Sequence, residues 1–540
     1  MMKPQHRLVL ALGLCLVAAT GCGNAAHTMM VEMRDGVKLE TDVYLPAGDG
    51  PFAAVLMRSV YGRSAGAKLG EAAAKQGLAL VVQDCRGRGG SEGKDMVFAD
   101  DGWGERQDGA DTVAWIVNQP WNNGKVGTSG GSALGIVQVM MAPATKEVDA
   151  QAIVVASSNF YDQLSYQGGV WRKALVEGWT KMQKTDEYIV PAWKAHPTYD
   201  TFWRMFNAED KAADVTTPAM HVGGWWDIFG QGAINNFATR QHEGGDGARG
   251  NQKLIMGPWI HGAKREVGDL KLPENFNLNF GKYEQRFFAA WLLDKDDGIK
   301  AEPAVNYYTV GDVDDPAAPG NEWRTADDWP PFPTIATPYY LRGDGRLTTD
   351  PATVDSAPLA YAYDPANPCP THGGQNLLLP AGPFDQREVS GRADVLKLAT
   401  DPIEQPIEIT GQVFVKLFVS TDAPDTDFTA KLIDIYPDGR EILMLDNIRR
   451  LKFRNGYEQP EPLPAGEIGE LTIDLWSISL IFNKGHRIGV QVSSSNHPRF
   501  EINPNSGDDW PTDTNKRVAN NKVYADAAHP SALILPVRPE

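Results

Sequence analysis

The stretch Gly124-Lys-Val-Gly-Thr-Ser-Gly-Gly-Ser-Ala-Leu-Gly135 joins a strand-forming run to a helix-forming one through small residues alone. A strand that turns sharply into a helix can hold a serine exposed and strained at its tip. Bulky neighbours would collide across such a turn. Two serines fit. Ser129 matches Gly-x-Ser-x-Gly literally, as Gly127-Thr-Ser-Gly-Gly131, and Ser132 matches a looser form, Gly130-Gly-Ser-Ala-Leu-Gly135. A turn at Ser129 leaves hardly any strand before it and starts the helix on Gly130 and Gly131, poor helix formers. A turn at Ser132 leaves a strand of usable length, then an apolar helix over 133–141. Local chemistry favours Ser132 as nucleophile, with a glycine-rich connection lacking chemistry as the competing reading.

Working outward, apolar strand-like runs lie at 53–57, 78–83, 125–129, 152–156, 219–222 and 253–256, with helical stretches between several of them, notably 108–118. Near the N-terminus Asp35-Gly36 reads as a hairpin turn between two alternating segments. Buried strands alternating with helices predict a largely parallel sheet covered on both faces. Between 157 and 216 the strands stop, and a Trp-, Tyr- and Lys-rich helical stretch reads as a cap inserted over one end of the sheet. From about Ala301 the texture becomes short strands broken by Gly, Pro and Asp, with runs at 413–419, 429–436, 471–475 and 488–493, which predicts an antiparallel sandwich. A Pro-rich stretch over 328–338 leads into it.

A serine nucleophile needs a base to take its proton and an acid to orient the base, in the chain order Ser, Asp or Glu, His for this kind of sheet. His261, in Leu254-Ile-Met-Gly-Pro-Trp-Ile-His-Gly262, and Asp227, in Met220-His-Val-Gly-Gly-Trp-Trp-Asp227, each follow a predicted strand. His221 lies inside a strand and reads as a core residue. His486, His497 and His529 fall in the sandwich half, where a structural role is the default.

These segments resemble those of the cocaine esterase/X-Pro dipeptidyl-peptidase family, which also includes glutaryl acylases and α-amino acid ester hydrolases. Gly124-Lys-Val-Gly and Gly-Gly-Ser132-Ala-Leu-Gly are similar to its nucleophile segment, Gly-Gly-Trp-Trp-Asp227 to its acid segment and Gly-Pro-Trp-Ile-His261 to its base segment. Further similarity lies in Asp84-Cys-Arg-Gly-Arg-Gly-Gly-Ser-Glu-Gly93, and in Asp425-Thr-Asp-Phe, Lys484-Gly-His-Arg-Ile and Ser493-Ser-Ser-Asn-His-Pro-Arg-Phe. The resemblance implies an α/β-hydrolase catalytic domain over 28–300 with a helical cap at 157–216, and a C-terminal jelly-roll β-sandwich over 301–540. It implies an oxyanion hole from the Tyr61 hydroxyl and the Ala133 N–H, and places Trp171 and Phe229 at the acyl pocket. Two departures stand out. Many relatives carry tyrosine directly after the nucleophile, where this chain has Ala133, so a differently shaped and roomier acyl pocket is expected. The carboxylates by which α-amino acid ester hydrolases hold an amino group fall partly where this chain has Ile228-Phe229. Asp162 is a further carboxylate near the cap, with surface solvation as its default reading.

The composition is that of a soluble globular chain, 42% hydrophobic and 22% charged over 540 residues, with a net charge of −18 and no basic cluster. Nucleic acid is therefore not an expected partner. No Cys/His spacing suggests a metal site, and acyl transfer needs neither metal nor organic cofactor. Lys3 and Arg7 ahead of the apolar run 8–19, then Ala19-Thr-Gly-Cys22, read as a leader (1–22) ending in a lipobox-like sequence. Export to a bacterial cell envelope and membrane anchoring through a lipidated Cys22 are expected, against an ordinary secretory leader cut near Ala26. Cys85 and Cys369 then remain, as a disulfide or as two buried thiols. The expected function is hydrolysis of small carboxylic ester or amide substrates through an acyl-serine. Its alternatives are an X-Pro dipeptidyl-peptidase and a non-catalytic ligand-binding surface lipoprotein.

Overall fold

The computed structural model describes residues 26–539, so the expected leader and Cys22 lie outside the described residues. The first half is built on one sheet of strands β1 (His27–Glu32), β2 (Lys38–Tyr44), β3 (Phe52–Ser59), β4 (Ala79–Asp84), β5 (Asn122–Gly131), β6 (Ala150–Val154), β7 (Ala219–Gly224), β8 (Gln252–Gly257), β9 (Val305–Thr309) and β10 (Glu322–Ala326). Their spatial order is β1-β2-β4-β3-β5-β6-β7-β8-β9-β10. The interior pairs from β4 through β9 are parallel, and the outer strands β1, β2 and β10 pair antiparallel. The β4 and β6–β8 strands are buried at every position, as strands covered on both faces must be.

Helices α1 (Gly66–Lys75), α2 (Asp108–Val117), α3 (Ala133–Met141), α4 (Lys173–Gln183), α5 (Asp186–Lys194), α6 (Thr201–Arg204), α7 (Gly230–Glu243) and α8 (Phe280–Leu292) follow in the first half. α3 spans the residues expected for it. Gly135 lets α3 press onto β6, because a Cβ there would stand 2.9 Å from Ala156 Cβ and 3.0 Å from the Val154 carbonyl oxygen. Between β6 and β7 the chain forms the expected helical insert, carrying α4–α6.

The first sheet does not stop at residue 301. β9 pairs with β8 in parallel and β10 returns antiparallel, so this sheet continues through Ala326. The composition shift near 301 marks the onset of short Gly- and Pro-bounded strands, which a sheet edge and a sandwich share. Beyond it come two antiparallel sheets. One is centred on Ile407–Thr421, paired with Gly469–Phe482, Ala519–Tyr524 and Ala532–Val537; the other has four strands, including Asp427–Ile435, Glu441–Arg450 and Arg487–Ser493. One apolar cluster runs across both halves, containing Trp225, Trp226, Phe237 and Leu254 together with Val415, Leu432, Leu471 and Val523. Cys85 and Cys369 are both buried free thiols. Among the described residues no helix is long and apolar enough to cross a membrane, and no group of three or more side chains is arranged to hold a metal ion.

Candidate active site

Ser132 stands between β5 and α3 at φ 56°, ψ −125°, a backbone conformation that a residue with a side chain rarely adopts. It is pinned there from both sides. Its N–H donates to the Val154 carbonyl at 2.9 Å, and its carbonyl accepts from Gly135 and Ile136 at 2.8 Å each. The strain turns the hydroxyl off the strand and puts it at the N-terminus of α3. Ser129 is placed quite differently. It lies within β5 and donates its hydroxyl to Glu284 Oε1 at 2.5 Å, on the side of the sheet covered by α8.

Ser132 Oγ lies 2.9 Å from His261 Nε2, and His261 Nδ1 lies 2.6 Å from Asp227 Oδ2. A carboxylate at Nδ1 fixes that nitrogen as the N–H, leaving Nε2 to accept the serine proton. Asp227 is fully buried, and its other oxygen accepts the Phe229 N–H at 2.7 Å. It sits in a short turn leaving β7, where Trp225 N–H and Trp226 N–H donate to the Gly257 and Trp259 carbonyls on the neighbouring connection. Both indoles are anchored as well, Trp225 Nε1 to Tyr308 O at 2.8 Å and Trp226 Nε1 to Met444 O at 2.9 Å.

Tyr61 follows β3, and its hydroxyl lies beside the Ser132 side chain while accepting the Trp179 indole N–H at 3.2 Å. The ring is half exposed, but the crowded hydroxyl end loses solvation, which pushes its pKa up and keeps it a proton donor. Ala133 is the first residue of α3, so its N–H has no partner within the helix. The two donors expected for an oxyanion hole thus flank Ser132.

A cleft opens beside Ser132, lined by Ala133, Ile136, Phe98, Leu164, Leu175, Val176, Trp179, Thr180, Trp193, Ile228, Phe229 and Leu377. Phe229 is where it was expected, its ring edge-on to His261 at 5.9 Å. Trp171 is not. Its indole is buried against Tyr166 and Trp510 and donates to Glu177 Oε1 at 3.1 Å, which draws it away from the cleft. Asp162 is neither a solvated surface group nor a cleft residue. It accepts the Gly168 N–H at 3.3 Å in the insert, and burial raises its pKa. His221 is a core residue, bonded to Gln252 and held by burial at about 3. The wall that sequence reasoning missed comes mostly from α4 and from Phe98. The spacing of Leu175, Val176 and Trp179 marks an apolar helix face, but not what that face covers.

The chain matches the family model described as X-Pro dipeptidyl-peptidase (S15 family) over residues 35–191 and 177–263. It matches the X-Pro dipeptidyl-peptidase C-terminal non-catalytic domain over 297–534. It is 32% identical to the cocaine esterase of Rhodococcus sp. (strain MB1 Bresler), across 95% of this chain and 98% of that protein. Among solved structures, an aminopeptidase from a marine sediment Thaumarchaeota archaeon superposes with a TM-score of 0.81 at 25% identity, covering 95% of this chain and 96% of that one. An α-amino acid ester hydrolase shares the fold, with a TM-score of 0.79 at 24% identity over 99% of this chain and all of that one. The chain belongs to the cocaine esterase/X-Pro dipeptidyl-peptidase family and is a serine hydrolase.

Proposed function

We propose that the chain hydrolyses carboxylic esters with uncharged, apolar acyl groups through a covalent acyl-Ser132. The observation that carries this is the unbroken contact chain Ser132–His261–Asp227 at the edge of an apolar cleft. His261 takes the Ser132 proton as the hydroxyl attacks the ester carbonyl, and Asp227 holds the imidazole in its tautomer and offsets its charge. The Tyr61 hydroxyl and Ala133 N–H receive the developing oxyanion. His261 then gives its proton to the leaving alcohol and activates the water that frees the acid. In this reading the helical insert is a cap that roofs the acyl side through α4, and the C-terminal sheets form a jelly roll.

An X-Pro dipeptidyl-peptidase must hold a charged amino terminus close to the cleaved bond. No Asp or Glu is among the cleft-lining residues, so an ammonium buried there would be desolvated without a counter-charge. A panel of p-nitrophenyl esters against X-Pro-p-nitroanilides tests this; turnover of the anilides with none of the esters would refute it. Labelling by a fluorophosphonate should vanish in Ser132→Ala and persist in Ser129→Ala. On the basis of Lys3, Arg7 and the Ala19–Cys22 sequence, the chain is further proposed to be exported and lipidated at Cys22. Globomycin should then accumulate the precursor, and normal processing under the drug would rule lipidation out.

A further inference from the structure

Arg172, the residue immediately before α4, is fully buried, and its guanidinium has only backbone carbonyls as hydrogen-bond acceptors among the described residues. They come from three places. Arg172 Nη1 donates to Gln163 O in the helical insert and, at 3.2 Å, to Ile228 O, the residue after Asp227. Its Nη2 donates to Gln375 O in the C-terminal half at 3.4 Å. Gln375 in turn donates through Nε2 to the Trp225 carbonyl at 3.3 Å, on the other side of Asp227. The clasp extends outward: Arg499 Nη2 donates to Gln375 Oε1 at 3.3 Å and to Gln167 Oε1 at 3.4 Å, and its Nη1 donates to Asp446 Oδ1 at 2.6 Å.

A buried cation with no carboxylate in direct contact is costly, and here Arg172 and Gln375, whose carbonyl it contacts, each hold one flank of the same turn. The charged groups acting on Arg172 are Arg499, Asp227, Asp446 and Asp162. Burial pulls Arg172 down to about 9, which leaves it charged at neutral pH.

We infer that Arg172 and Gln375 are positioning residues for catalysis, through which the C-terminal half fixes the Asp227 turn. The inference rests on the Ser132–His261–Asp227 reading above. Arg172 ties down the carbonyl of Ile228 and Gln375 that of Trp225, so the carboxylate between them cannot drift from the imidazole.

The test compares Arg172→Met, Arg172→Lys and Gln375→Leu in the full-length chain, with kcat and KM for ester hydrolysis and the rate of fluorophosphonate labelling as readouts. Arg172→Met should lower kcat roughly 10- to 100-fold with KM little changed, as expected for loss of alignment. Arg172→Lys keeps the charge but not the planar fork that reaches several carbonyls, so kcat should still fall with KM little changed. Gln375→Leu should lower kcat likewise. Should Arg172→Met fail to fold, Arg172→Lys and Gln375→Leu carry the decision. An unchanged kcat in both, or a loss confined to KM, overturns the inference. Absence of labelling in the wild-type chain would instead sink the hydrolase reading itself, which keeps the two failures apart.

Discussion

The Trp179 indole N–H donates to the Tyr61 hydroxyl at 3.2 Å, joining α4 of the insert to the loop after β3 across 118 positions of chain. A phenol oxygen that accepts this bond has its own proton free for something else, and Ser132 is beside it. The contact therefore aims a donor as well as packing two rings. Phe98 stacks on the far side of Trp179 at 5.7 Å, so the wall of the cleft and the aim of the donor are set by the same ring.

Removing the phenol proton should be expensive. Tyr61→Phe is expected to lower kcat by about 10²- to 10³-fold, the range for loss of one oxyanion donor. Trp179→Phe keeps the phenol but frees its rotation, so a smaller loss of about two- to tenfold is expected. In a Tyr61→Phe background the Trp179 change should cost little more. Full additivity of the two in a double-mutant cycle would show that the indole does not act through the phenol.

Asp227→Asn preserves the shape of the turn, since an amide oxygen can still accept the Phe229 N–H. It removes the charge and allows the wrong imidazole tautomer. A loss of about 10⁴-fold in kcat is expected, with the fold intact by circular dichroism. Retention of more than a tenth of wild-type kcat would exclude Asp227 as the acid.

Ala133 lines the cleft through its methyl group and is almost fully buried. Ala133→Tyr would fill acyl space without removing the backbone N–H. The ratio of kcat/KM for p-nitrophenyl butyrate to that for p-nitrophenyl acetate should fall about tenfold or more, as methylenes lose their room. An unchanged ratio would place the acyl chain elsewhere.

Glu284 offers a stability test away from the chemistry. Burial raises its pKa from the ordinary 4.5, and the Ser129 hydroxyl offsets this only in part. The folded chain therefore keeps this proton at pH values where the unfolded chain has lost it, and stability falls as pH rises through and above that ordinary value. Glu284→Gln should melt at the same temperature as wild type near pH 4 and higher than wild type at pH 8. A variant that loses stability at pH 8 would mean the carboxylate is charged and welcome in the fold.

The strand, turn and helix around Ser132 were readable because each local signal agreed. Gly130 and Gly131 exclude a helix start at Ser129, and the apolar run after Ser132 supplies one, so α3 emerged with its bounds. The Ser132–His261–Asp227 contact chain was legible because each of the three residues lies just past the end of a strand of the first sheet. The acyl wall was not. Phe98, Trp179 and Leu377 converge from positions separated by 81 to nearly 280 residues, and no local pattern encodes that meeting. Trp171 looked like a wall residue by its place in the chain, yet Glu177 and Trp510 hold it elsewhere. Likewise β9 and β10 carry the short, Gly-bounded look of the sandwich, and only their pairing to β8 reveals which sheet they complete.

The apolar cluster that contains both Phe237 and Val523 has a consequence for anyone who would cut or recombine this molecule. A seam filled with side chains from either half cannot be opened by severing the linker near Pro330. A fragment ending there would carry a bare greasy face and the unpaired indole of Trp226. Chimeras that exchange halves between relatives must transplant both banks of that seam together, because either bank left exposed would make its half prone to aggregate.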